Sequence, residues 1–158
     1  MDTKNVSRWW PSVARVALGL VFVVFGLNGF LHFLPQGPMP PAAAPFVGGL
    51  LSAGYFFPVL KGTEVLAGLL LLTGRFVPLA LTLLAPIVVN IALFHVFLVP
   101  GLPMVVLVLT LEIYLAWVYR RAFAPMLRAK TSPYHASAEQ PQFAGDHVEE
   151  GSAQPGRA

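Results

Sequence analysis

A chain of 158 residues that is 56% hydrophobic and 11% charged is one domain by size and falls among membrane proteins, because a soluble domain carries about 25% charged residues. Its mean hydropathy of +0.71 agrees. The formal net charge of +3 is small, and the basic residues are spread over the chain ends and one loop, with Arg15 and Lys61 singly inside apolar runs, which argues against the clustered basic face that nucleic acid requires. The absence of cysteine excludes structural disulfides, dithiol redox chemistry, iron–sulfur ligation and thiolate metal sites, so a redox role needs a bound cofactor or a partner subunit.

Residues 1–12 are polar and basic, and Trp9 and Trp10 stand just before an apolar run as an interfacial aromatic belt would. The first span is expected at about 13–33, matching the roughly 20 residues that cross a hydrocarbon core of about 30 Å. The run continues to Leu34, too long for the apolar region of a cleaved signal, so it is read as a retained span. Arg15 lies close enough to its end for the side chain to reach the interface. Gly19, Gly26 and Gly29 allow neighbours to approach closely. Asn28 and His32, four apart, share one face near its far end.

The longest connection, 35–55, opens with a proline cluster that forbids a helix through Pro41. Its apolar part, about 42–53, is too short to span and is expected as an interfacial or re-entrant helix. The second span is expected at about 56–74, with Lys61 and Glu64 in its first half. A tight turn at Arg75 and Phe76 leads to the third, about 78–99, which holds Pro86, Asn90 and His95. Pro86 is expected to bend that helix and free the carbonyl of Thr82. The fourth span, about 103–119, is interrupted by Glu112 and ends at Arg120 and Arg121. Together 13–130 form an all-α membrane domain, a bundle of four transmembrane helices. Residues 131–158 are rich in Ser, Ala, Gly, Pro, Gln and acids and are expected to be a disordered cytoplasmic tail, in which His135 and His147 have no role.

Lys4 and Arg8 precede the first span, Arg75 separates the second from the third, and Arg120 to Lys130 follow the fourth; the other two connections carry no Lys or Arg. By the positive-inside rule both termini are cytoplasmic. With direction fixed, a rise of about 1.5 Å per residue puts Asn28, Lys61 and His95 roughly 5–8 Å below the outer boundary, and Glu64, Asn90 and Glu112 roughly 12–14 Å below it. All four spans then contribute polar groups to the outer half, where ionisable residues are expensive and persist by pairing, by lining a wet cavity or by doing chemistry.

Lys61 and Glu64, three apart, are neighbours on a helix surface and are expected to pair. Glu112 has no cation in reach on its own helix and is expected to be held neutral or to share a proton with His95. Glu64, Glu112 and His95 are the candidate catalytic residues; Asn28, Lys61, Asn90 and His32 are the candidate ligand-binding residues. Each has a plainer reading. Asn28 and Asn90 serve as interhelical hydrogen-bonding residues, His32 as a solvated or loop-capping residue, and the Lys61–Glu64 pair as a structural ion pair. The glycines and Phe22, Phe25, Phe94 and Phe97 are read as packing and lipid contact.

The segments ARVALGLVFVVFGLNGFLHF, YFFPVLKGTEVLAGLLLLTGRFVPLAL and APIVVNIALFHVFL resemble the DoxX family of small four-helix membrane proteins, over about residues 13–128. The patterns G-x-N-G-F, K-G-x-E-x-x-x-G-L and N-I-x-x-F-H carry the resemblance together. It implies a four-helix bundle in the bacterial inner (plasma) membrane. The family takes its name from a subunit of a thiosulfate:quinone oxidoreductase, and other members resemble partners in membrane redox complexes. Related four-helix proteins of quinone–thiol chemistry depend on cysteines, which this chain lacks.

Three functions follow as expectations. The first is an accessory protein of a redox or quinone-linked process, whose outer-half pocket binds a small polar or quinone-like head group. Lys61 and His95 donate there, and Glu64 and Glu112 relay protons. Its partners are the lipid bilayer and either redox subunits or further copies of the chain. The second is a non-catalytic assembly module whose polar layer holds the helices in register. The third, ranked well below these, is a haem or metal site using His32, His95 and the two glutamates. A transporter ranks last, because no inverted repeat or broken helix pair is present.

Overall fold

The computed structural model describes residues 3–35, 37–99 and 101–130; the tail 131–158, and with it the expectation of disorder there, lies outside the described residues. The described residues are helical, with no strand among them. They form α1 (Thr3–Leu31), α2 (Ala44–Ser52), α3 (Phe56–Thr73), α4 (Val77–Phe97), α5 (Leu102–Val118) and α6 (Arg120–Phe123).

Helix α1 begins before the apolar run and carries Pro11 inside it, whereas the sequence placed residues 1–12 ahead of the first span. The physical reason is economy of breakage. Proline removes one donor and one hydrogen bond, and nothing else between Thr3 and Val13 opposes helix. The other long helices start and stop within two residues of expectation, and α4 runs through Pro86 without interruption.

Helix α3 ends by a mechanism that its sequence encodes. Gly74 takes φ 71°, its N–H donates to Leu71 O at 3.1 Å, and the Arg75 N–H donates to Leu70 O at 3.2 Å. This is a Schellman cap, which needs a left-handed residue and so favours glycine. Phe76 follows with φ 54°, and Pro78 pre-sets the first turn of α4. So short a connection makes α3 and α4 antiparallel neighbours.

Helix α1 packs against α3 and α5, and α4 packs against the same two, which closes a ring of four helices. The closest approach joins α1 to α3. A Cβ on Gly19 would lie 3.0 Å from Gly68 O, and one on Gly68 would lie 2.9 Å from Gly19 O. Two backbones meet there because neither helix carries a side chain at the crossing.

The apolar core is not spread evenly along the ring. Ala14, Leu18 and Phe22 of α1, Ala67 and Leu71 of α3, Ala80, Leu81, Leu84 and Val88 of α4, and Val108 and Leu115 of α5 are buried. Most belong to the end that carries the α3–α4 turn. The buried polar residues Asn28 and Glu64 lie toward the opposite end, and Glu112 lies between Val108 and Leu115 on the buried face of α5.

Outside, the ring is greasy. Leu20, Val24, Leu27, Leu66, Leu69, Leu79, Val89, Leu93, Val96, Val106, Leu107 and Ile113 are all exposed. A soluble monomer does not carry an apolar surface of that extent. The segments Trp9–Leu31, Phe56–Thr73 and Val77–Phe97 are long and apolar enough to cross a membrane, and α5 is a shorter apolar helix of 17 residues. Helix α2 has nine residues, about 13 Å of rise, and cannot cross. No residue of α2 is buried, and its Phe46 ring meets Phe94 of α4 at 5.8 Å.

Candidate functional site

On α3, residues three apart fall on one face, and Lys61 Nζ donates to both Glu64 oxygens, at 3.0 and 2.8 Å. The Glu64 side chain is 4% exposed and that of Lys61 is 20% exposed. Two glycines of α1 make room for the pair. A Cβ on Gly29 would lie 2.5 Å from Lys61 Cγ, and one on Gly26 would lie 3.2 Å from Glu64 Cβ. The lysine stem therefore lies along the α1 backbone while its ammonium folds back onto Glu64. Buried ion pairs gain little net stability, yet removing one partner strands the other charge.

Glu112 is 7% exposed, and its Oε2 is buried without a hydrogen-bond partner. A charged or dipolar oxygen left alone in such surroundings is costly, and a proton or a donor group relieves it. Counting from the helix ends nearest the α4–α5 turn, Glu64 lies about 12 Å along α3 and Glu112 about 15 Å along α5. The two carboxyls therefore sit within one helical turn of the same level, on helices that flank α1 from either side. Lys61 and Glu64 form a pair, and Glu112 stands near its level on another helix with no hydrogen bond to it.

The remaining candidates stand elsewhere. Asn28 is buried, but its Oδ1 accepts from the Leu34 N–H at 2.7 Å. It closes the end of α1, where His32 takes φ 51° and its N–H donates to Asn28 O at 2.9 Å. Asn28 thus acts within its own chain reversal rather than between helices. His32 is exposed beyond the helix end, in keeping with the loop-capping alternative.

His95 is half-buried, and its Nδ1 lies 2.8 Å from Ile91 O. A carbonyl only accepts, so Nδ1 is the donor in this contact. Its ring sits edge-on to Phe94 beside the α4–α5 turn, with Cδ2 3.6 Å from where a Cβ on Gly101 would stand. His95 is about 3 Å from the end of α4 and Glu112 about 15 Å from the start of α5. That gap of roughly 12 Å removes the expected proton sharing between them. Asn90 is exposed. It lines an outward cavity of about 410 Å³ with Phe46, Pro86, Leu93 and Phe97, away from the Lys61–Glu64 pair and Glu112.

Among the described residues, no three His, Asp or Glu side chains converge as a metal site. One feature escaped the sequence reading. Arg15, expected to reach for the interface, is half-buried with its Nε enclosed and without a hydrogen-bond partner. A Cβ on Gly74 would overlap its Nη1 and lie 2.7 Å from its Cζ. The available signal was the glycine–arginine pair at the α3–α4 turn, which ends the helix that runs beside Arg15.

No family model, curated protein or solved structure matches this chain.

Proposed function

We propose that this chain is a four-span protein of the bacterial inner membrane, related to the DoxX family, with both termini in the cytoplasm. Helix α5 is the fourth span, and α2 lies at the outer interface over the ring. The interior group of Lys61, Glu64 and Glu112 then lies in the outer half of the membrane. It binds the small polar or quinone-like head group of a substrate used by a redox complex. The observation that carries this reading is the enclosed, unpartnered Oε2 of Glu112 at the level of a satisfied Lys61–Glu64 pair. Ionisable residues at membrane depth persist where they bind or relay. The chain has no cysteine, so the electrons come from a partner subunit, and this chain holds the head group and passes protons.

The experiment is quinone binding by the purified chain, together with quinone-dependent oxidation in membranes carrying Glu64→Gln or Glu112→Gln. Binding by the wild type and its loss in Glu112→Gln are expected. No binding, with oxidation intact in both variants, refutes the proposal.

A second reading, an assembly module, draws on the fit of the Lys61 stem against Gly29. There the trio only sets helix register, and replacing it costs folding without a separate loss of binding.

A further inference from the structure

The end of the ring that carries the α3–α4 turn collects arginines that have no counter-charge among the described residues. Arg15 of α1, Arg75 of the turn, and Arg120 and Arg121 after α5 all belong to this end by the antiparallel order of the helices. Glu64 and Glu112 are the only acidic residues among the described residues, and both lie deeper in the ring.

Two of the four guanidinium groups are held in place. Arg15 lies over Gly74, where any larger residue would displace it, and its Nε is enclosed with no acceptor. Arg120 donates from Nη1 to Trp117 O at 2.9 Å and lies 4.8 Å from the centre of the Trp117 ring. Trp117 itself is exposed, as are Trp9 and Trp10 at the same end. Indole rings at this level mark the headgroup region of a bilayer. A planar guanidinium with free N–H groups is built to take a phosphate oxygen pair.

We propose that this end is a binding site for the phosphate of an anionic phospholipid, with Arg15 as its central donor and Arg75 and Arg120 as flanking charges. The proposal rests on the reading of the chain as membrane-spanning with this end cytoplasmic. Charge complementarity selects the occupant. Among the described residues no carboxylate lies beside these four guanidinium groups, and with Trp9, Trp10 and Trp117 at the same end they favour a lipid of net negative charge over a zwitterionic one. The site needs no large cavity, since the acyl chains lie along the exposed leucines and valines.

The test uses the full chain reconstituted in nanodiscs of phosphatidylcholine alone or mixed with phosphatidylglycerol, with retained lipid counted by native mass spectrometry. Insertion into phosphatidylcholine examines the spanning reading by itself; a chain that does not insert overturns both. For an inserted chain, preferential retention of phosphatidylglycerol is expected, reduced about fivefold by Arg15→Gln and by Arg75→Gln. Arg15→Lys keeps the charge but loses the fork, and is expected to lose part of the preference. Equal retention of the two lipids, or full preference in Arg15→Lys and Arg75→Gln alike, overturns the site. Inorganic phosphate competing at millimolar concentration identifies a free anion as the occupant and overturns the lipid assignment.

Discussion

Replacing Glu112 by methionine separates a binding group from a structural one. In the structure Oε2 has no partner and lies on the buried face of α5 between Val108 and Leu115. An unsatisfied buried polar atom costs about 1–3 kcal/mol, and methionine fills a similar volume with a flexible thioether. Glu112→Met should therefore stabilise the protein by about 1–3 kcal/mol, because it removes a desolvated oxygen and breaks no hydrogen bond. At about 4 °C per kcal/mol for a domain of this size, the melting temperature rises by about 4–12 °C. Circular dichroism at 222 nm in mild detergent follows the transition. If the proposed function holds, head-group binding vanishes in the same variant, so that stability is gained where binding is lost. A fall in melting temperature would refute the reasoning, since it would mean that the carboxyl satisfies something in the folded ring.

Lys61→Met strands Glu64 and should cost about 3–5 kcal/mol, most of it recovered in the double variant with Glu64→Leu; a double-mutant cycle in the same detergent measures the coupling. Gly68→Ala pushes a methyl group against Gly19 O and the Val23 side chain, and should cost about 1–3 kcal/mol by thermal unfolding. Asn28→Ala removes the acceptor of the Leu34 N–H, so amide exchange at Leu34 should accelerate by about tenfold, with a stability loss of about 1 kcal/mol. Gly74→Ala meets both an unfavourable φ of 71° and the Arg15 guanidinium, and should lower the melting temperature more than Gly62→Ala, where a Cβ meets open space.

Particular residues show which parts of this structure were legible in the sequence. The long helices were, since apolar runs of bilayer length are bounded by Pro, Gly and Arg. The end of α3 near Gly74 was too, because glycine readily takes the left-handed conformation that closes a helix. Lys61 and Glu64 could be paired from spacing alone, since three residues on a helix bring side chains together whatever the surroundings. Asn90 could not be placed. Helix α4 is apolar on every side, so no periodicity says which face turns inward, and packing against α3 and α5 turned the other one. Asn28 was beyond reach for another reason. Its partner lies six residues on, across a reversal that depends on a left-handed His32, which composition does not announce. The expected link between His95 and Glu112 failed because depth counted from estimated boundaries missed that His95 lies almost at the α4–α5 turn.

The uneven placement of the apolar core bears on how the ring breathes. Leu18, Leu71, Leu84 and Leu115 are wholly enclosed, and most of the core gathers at the α3–α4 turn end, where opening the ring means exposing many packed side chains at once. At the other end, α1 meets α3 through Gly26 and Gly29, and α2 contributes no buried residue. Local opening costs more where more apolar surface must be uncovered, so opening is expected to concentrate at this second end. Amide exchange should therefore run fastest in α2 and the last turns of α1 and α4.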